Sequence, residues 1–205
     1  WVMLAMSVWS FAYSLEIFAS NLQTKLLIVN IEYIGIISVP LFLFFFALEF
    51  TGKSHLLTAR AKILLWGLPS LILLFVWTNN HHHLMWDMET LADSGGLQLL
   101  SVRFKNFFWV HTIYSYILVA STNILLIIEL LQRPRIYRIQ LSIVVLGLLI
   151  PTLGNLLFIT KANPIKNLDV TPLFFLPTAL GLSWAIIKYR LLEVLPPEHL
   201  TVLKN

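Results

Sequence analysis

The sequence predicts an all-α fold, a polytopic transmembrane helix bundle with six spans. Three observations predict it. Hydrophobic residues make up 58% of the 205 and charged residues 12%, with a mean hydropathy of +0.82; an ordinary soluble domain carries about 25% charged residues. The apolar residues form six runs, roughly 1–19, 25–50, 61–78, 107–132, 138–160 and 171–190, each close to the ~20 residues a helix needs to cross a bilayer. Basic residues gather at alternate ends of these runs, the asymmetry of a membrane topology. Buried strands of a parallel sheet would need runs of about 4–8 residues separated by turn signals, and these runs are far longer.

Each element follows from its own residues. The first run ends in "YSLEI" and turns at "SNLQT"; the second carries Glu32, Tyr33 and Pro40 and stops at "TGKSHLLTAR". Trp66 and Trp77 bracket the third run as interfacial aromatics do. The long stretch 79–106 opens with "NNHHHLMW" and contains "DSGGLQLLSVRF", whose Gly-Gly between apolar and β-branched residues fits a short hairpin able to cap a cavity. The fourth run holds His111, Tyr114 and Tyr116, and "QRPRIYR" is a basic turn that anchors to lipid headgroups. The fifth run holds Pro151, Thr152, Gly154 and Asn155, and Asp169 and Thr171 open the sixth, which carries Pro177. Pro40, Pro151, Gly154 and Pro177 either bend helices or are the ordinary prolines and glycines of membrane helices.

Charge sets the expected orientation. Lys53, Arg60, Lys62, Arg133, Arg135, Arg138, Lys188, Arg190 and Lys204 fall at one end; Lys25, Arg103, Lys105, Lys161 and Lys166 fall at the other, offset by Asp87, Glu89, Asp93 and Asp169. The first, more basic set is expected to be cytoplasmic, with the C-terminus inside. The chain begins inside an apolar run at "WVMLAMSVW" without an initiator Met, so upstream sequence is expected.

Several classes of function are disfavoured. The net charge of +4 and pI of about 9.4 reside in short loops, so no nucleic-acid partner is expected. There is no cysteine, hence no disulfide, thiol nucleophile or thiolate metal site within the chain. Neither a Gly-rich phosphate cradle nor a nucleophile–base pair is present, so the segment is not expected to be an enzyme or to hold a cofactor. There is no internal repeat of the kind that marks many transporters.

The depth of the polar residues carries the functional reading. Tyr13, Glu16, Glu32, Tyr33, His111, Tyr114, Tyr116, Thr152, Asn155, Asp169 and Thr171 all fall in the half away from the basic end, whereas Glu49, Asn123 and Glu129 alone interrupt the other half. Polar and aromatic groups around one blind cavity suit a small, partly apolar ligand better than an ion path. Tyr13, Glu16, Glu32, Tyr33, His111, Tyr114, Asn155 and Asp169 are therefore candidate ligand-binding residues. Glu32 must be protonated, paired or facing ligand; a hydrogen bond to Tyr114 or Asn155 is the structural alternative. His111 and Tyr114, three apart, share a helix face while Tyr116 points elsewhere.

Nine segments then fall into register: "WSFAYSLEI" (9–17), "EYIGI" (32–36), "FALEFTGK" (46–53), "TNNHHHLMW" (78–86), "FFWVHTIYSY" (107–116), "YRIQ" (137–140), "PTLGN" (151–155), "DVTP" (169–172) and "KYRLLEVLPP" (188–197). In this order the chain resembles the N-terminal seven-transmembrane-helix sensor region of bacterial histidine kinases. The resemblance implies a further helix upstream, seven in the full protein. It implies a sensor domain over 1–195, the start of a linker at 196–205, and a cytoplasmic kinase or other output domain in the same chain, a diguanylate cyclase in some relatives. It also implies a homodimer in the bacterial cytoplasmic membrane. The family pattern has an Asn and a His matching Asn79 or Asn80 and one of His81, His82 and His83; Asn80 and His82, with Trp86 of the same motif, complete the candidate set. Three adjacent histidines on one turn diverge by about 100° each, so no metal site is expected there. A transporter or channel, and a metallohydrolase built on the histidines with Asp87 and Asp169, are the alternatives.

Overall fold

A computed structural model describes residues 1–94, 96–132, 134–163 and 165–189. Its long helices are α1 (Val2–Phe18), α2 (Leu22–Phe50), α3 (Ala59–Trp77), α5 (Asn106–Gln132), α6 (Arg135–Ile159) and α7 (Thr171–Tyr189), with a single turn, α4 (Asn79–His82), after α3. Between α4 and α5 lies an antiparallel hairpin, β1 (Trp86–Ser94) and β2 (Leu97–Phe104). Among the described residues four segments are long and apolar enough to cross a membrane: α2, α3, α5 and Leu141–Ile159 within α6. The helix Val2–Phe18 and the apolar stretch Thr171–Leu180 are shorter, so a count of six crossings is not fixed by length and composition alone.

Local chemistry sets the helix ends. Asn21 caps α2, its Oδ1 accepting from Thr24 N–H at 2.7 Å, and Thr58 Oγ1 accepts from Ala61 N–H at the start of α3. The "LEFTGK" end of α2 closes as a Schellman motif: Lys53 N–H reaches the Leu48 carbonyl, Gly52 N–H the Glu49 carbonyl, and Gly52 takes φ +70°, a conformation glycine adopts without cost. Arg138 donates to the Leu131 carbonyl near the end of α5, a structural use for one residue of the basic turn.

Short connections lay consecutive helices against one another. α1 and α2 approach backbone to backbone, where a Cβ on Gly35 would sit 2.7 Å from Trp9 N and 2.8 Å from Ala5 O. One apolar core gathers α1, α2, α5, α6 and α7 around Trp9, Leu43, Leu126, Val144, Leu148 and Phe175. A second joins α2, α3 and α5 to the hairpin around Tyr33, Ile72, Met85, Trp86 and Phe108. The outward faces are apolar too, with Phe11, Ile63, Leu64, Ile117 and Leu173 exposed, as expected where the solvent is lipid.

Two prolines act across helices. Proline has no N–H, so the carbonyl four residues earlier is released. Pro69 in α3 releases Leu65, whose carbonyl accepts the Tyr114 hydroxyl of α5 at 2.6 Å. Pro151 in α6 releases Gly147, whose carbonyl accepts the Thr178 hydroxyl of α7 at 2.6 Å.

Candidate functional site

At the hairpin end of the bundle, α1, α2, α5, α6 and α7 enclose a cavity of about 190 Å³. The hairpin forms part of its wall through Trp86, Leu100, Val102 and Phe104. Three anchors hold the hairpin there. The buried Asn79 side chain accepts from Met85 and Trp86 N–H and donates to the Trp86 carbonyl. Phe104 stacks on Phe108 of α5, ring centroids 3.7 Å apart. Ser94, at the tip, donates to the Lys166 carbonyl in the connection before α7. The strand pairing slips between Asp87 and Thr90, where Met88 takes φ +54°; such a bulge bends a strand.

Eight of the candidate ligand-binding residues line this cavity: Tyr13, Glu16, Glu32, Tyr33, Trp86, His111, Asn155 and Asp169. Glu16 is paired with Lys25, Nζ to Oε1 3.0 Å, and both are buried. Lys25 also donates to the Glu16 carbonyl. It is therefore not a loop charge, as charge counting alone assumes, but an internal one. Tyr13 accepts from Asp169 N–H, and Asp169 Oδ1 accepts from both the N–H and the hydroxyl of Thr171 at the start of α7. Tyr116 donates to Asn155 Oδ1 at 3.1 Å, joining α5 to α6. The Tyr33 ring lies 5.5 Å from Trp86 and 6.1 Å from His111, centroid to centroid.

Three candidates do not reach the cavity. Asn80 is exposed, because the single turn of α4 points Asn79 inward instead. His82 faces its own turn: Nδ1 accepts from Leu84 N–H and Nε2 meets the Thr78 hydroxyl at 3.0 Å, with Phe75 against the ring. The first contact places its proton on Nε2. Tyr114 is drawn to α3 by the Leu65 carbonyl that Pro69 releases. Nor do the two acids of the metallohydrolase alternative meet the histidines. Asp87 is held bidentately by Arg103 at 2.7 Å and by Lys105 at 2.7 Å, while Asp169 lies in the cavity. Their hydrogen bonds, Arg103 foremost, hold the Asp87 carboxyl well below the usual carboxylate range. Among the described residues no three His, Asp or Glu side chains converge to hold a metal ion.

Other lining residues went unnoticed in the sequence. Trp9 is one turn before Tyr13, and Ser115 one turn after His111, so the face of α5 runs 111–115 and 112–116 rather than 111–114. Tyr116, expected to point away, therefore faces the cavity. Toward the opposite end polarity falls off, although Thr122 Oγ1 and Asn123 Oδ1 are buried without hydrogen-bond partners among the described residues.

A family model describing the N-terminal 7TM region of histidine kinase matches residues 1–196. No match was found among curated proteins or among solved structures. That region is a membrane sensor region and not a catalytic one, and it implies a cytoplasmic kinase domain in the same chain. Apolar membrane-crossing helices and a match over nearly the whole chain agree: the protein belongs to the family of N-terminal seven-transmembrane regions of histidine kinases.

Proposed function

We propose that residues 1–195 are a ligand sensor of the bacterial cytoplasmic membrane, crossing it six times here, with the hairpin end away from the cytosol and the basic end inside. A small, partly apolar ligand enters the cavity beneath the hairpin and favours one arrangement of the helices around it. The observation that carries this reading is the cavity's membership. It is lined by α1, α2, α5, α6 and the hairpin, and also by Thr171 and Phe175 of α7, the last helix before the cytoplasmic continuation. A ligand that touches α7 acts directly on the element that leads to the kinase, by as much as its affinities for the two states differ. The continuation within "KYRLLEVLPP" and the linker at 196–205 lie, from residue 190, outside the described residues. Coupling to a dimeric output is part of the proposal.

The test fills the cavity. In the full-length kinase, Val119→Trp places a ring inside it, whereas Ile117→Trp places the same ring on an exposed face. The expected result is a locked autophosphorylation level for Val119→Trp and ordinary signalling for Ile117→Trp. Equal behaviour of the two variants would remove the cavity from the signalling path.

A further inference from the structure

The cavity holds more acid than its own bases neutralise. Glu16, Glu32 and Asp169 line it, and among the described residues no Lys or Arg lines it. The nearby cation, Lys25, is fully buried and committed to Glu16 and to the carbonyls of Glu16 and Ile17. Asp169 spends Oδ1 on Thr171. That leaves Glu32. It is 6% exposed, it lines the cavity, and among the described residues it is in no ion pair. The Trp9 indole approaches it, yet Trp9 Nε1 is buried without an acceptor at hydrogen-bonding geometry. An unpaired carboxylate in so dry a place is costly until something compensates it.

The walls around this acid are aromatic. Trp9, Tyr33 and Trp86 line the same space, and Tyr33 and Trp86 are in ring contact. Aromatic faces attract a cation within about 6 Å of the ring centre. An anion would meet the carboxyl groups of Glu32 and Asp169, which line the same space; a neutral guest would offer Glu32 no counter-charge and leave it to take up a proton instead. The rest of the lining is apolar, including Met6, Val29, Leu148 and Phe175, so the guest carries an apolar body. A volume of about 190 Å³ has room for one ring and a short chain, since an apolar cavity of about 150 Å³ accepts benzene.

We propose that the cavity selects a small organic cation, an ammonium group on an apolar or aromatic body, with Glu32 as its counter-charge and Trp9, Tyr33 and Trp86 as its cage. This rests on the reading of the cavity as the ligand site and names the class of ligand.

Three probes of nearly one size separate the possibilities: 2-phenylethylammonium, 2-phenylethanol and phenylacetate. They are titrated against the full chain in lipid nanodiscs, with tryptophan fluorescence and thermal unfolding as readouts. The ammonium is expected to bind about tenfold or more tighter than the alcohol, with phenylacetate weakest. Glu32→Gln is expected to abolish that preference while keeping the affinity for the alcohol, which also shows that the variant is folded. An alcohol or carboxylate that binds the native chain as tightly as the ammonium overturns the charge assignment and leaves the cavity reading standing. Glu32→Gln with its preference intact overturns it as well. Failure of all three probes at about 1 mM overturns both.

Discussion

At the scale of single residues, Asn79 and Asn80 show how much one position matters. Asn79 satisfies three backbone groups at the root of the hairpin, and its neighbour faces outward. Leaving buried backbone groups unpaired costs about 1–3 kcal/mol. Asn79→Ala should therefore lower the unfolding midpoint in detergent clearly, while Asn80→Ala should change it little. Asp87 gives a pH signature. Its carboxyl is held below the usual range by Arg103 and Lys105, so the pairing stabilises the hairpin fully above about pH 4 and weakens as pH falls through the folded-state value. Amide exchange over 86–104 should run faster in Asp87→Asn than in the native chain at neutral pH, and the gap should narrow progressively as pH falls below about 4.

At the scale of elements, two devices set helix spacing. Gly35 lets α1 and α2 touch backbone to backbone. A methyl there meets main-chain atoms that cannot step aside, so Gly35→Ala is expected to cost about 1–3 kcal/mol, read as lower yield of folded protein and a lower midpoint. The Pro151–Gly147–Thr178 arrangement is the second. Thr178→Val alone strips the released carbonyl of its donor, a loss of roughly 0.6 kcal/mol by the average for interhelical bonds in membranes. In a Pro151→Ala background the new N–H can take that carbonyl, so Thr178→Val should cost less. A double-mutant cycle that is strictly additive would show that the proline and the threonine act independently. The spacing rule applied to α5 failed for a related reason. His111 and Tyr114 do lie near one another on the helix, but a proline-released carbonyl on α3 captured Tyr114, and that event lies in another helix, 49 residues away in sequence.

At the scale of the whole molecule, the hairpin closes one end and the basic turns mark the other. Because the chain has no cysteine, topology is directly testable. Leu97→Cys in the hairpin should react with a membrane-impermeant maleimide in intact cells. Leu56→Cys, in the short turn Ser54–Leu56 after α2, should react only after permeabilisation. The reverse pattern would invert the proposed orientation.

The sequence by itself determined the solvent, the helices and the end of the bundle at which polarity gathers, because run length, composition and loop charge are local quantities that a lipid environment reads directly. The "DSGGLQLL" stretch was likewise compatible with the hairpin. Tertiary structure alone decided which polar residues share the cavity, which asparagine is buried, that Lys25 is spent on Glu16, and that Glu32 has no ion-pair partner among the described residues. Those outcomes depend on helix rotation and on carbonyls released in neighbouring helices. In lipid, where apolar faces point both inward and outward, no hydrophobic stripe in the sequence records that rotation.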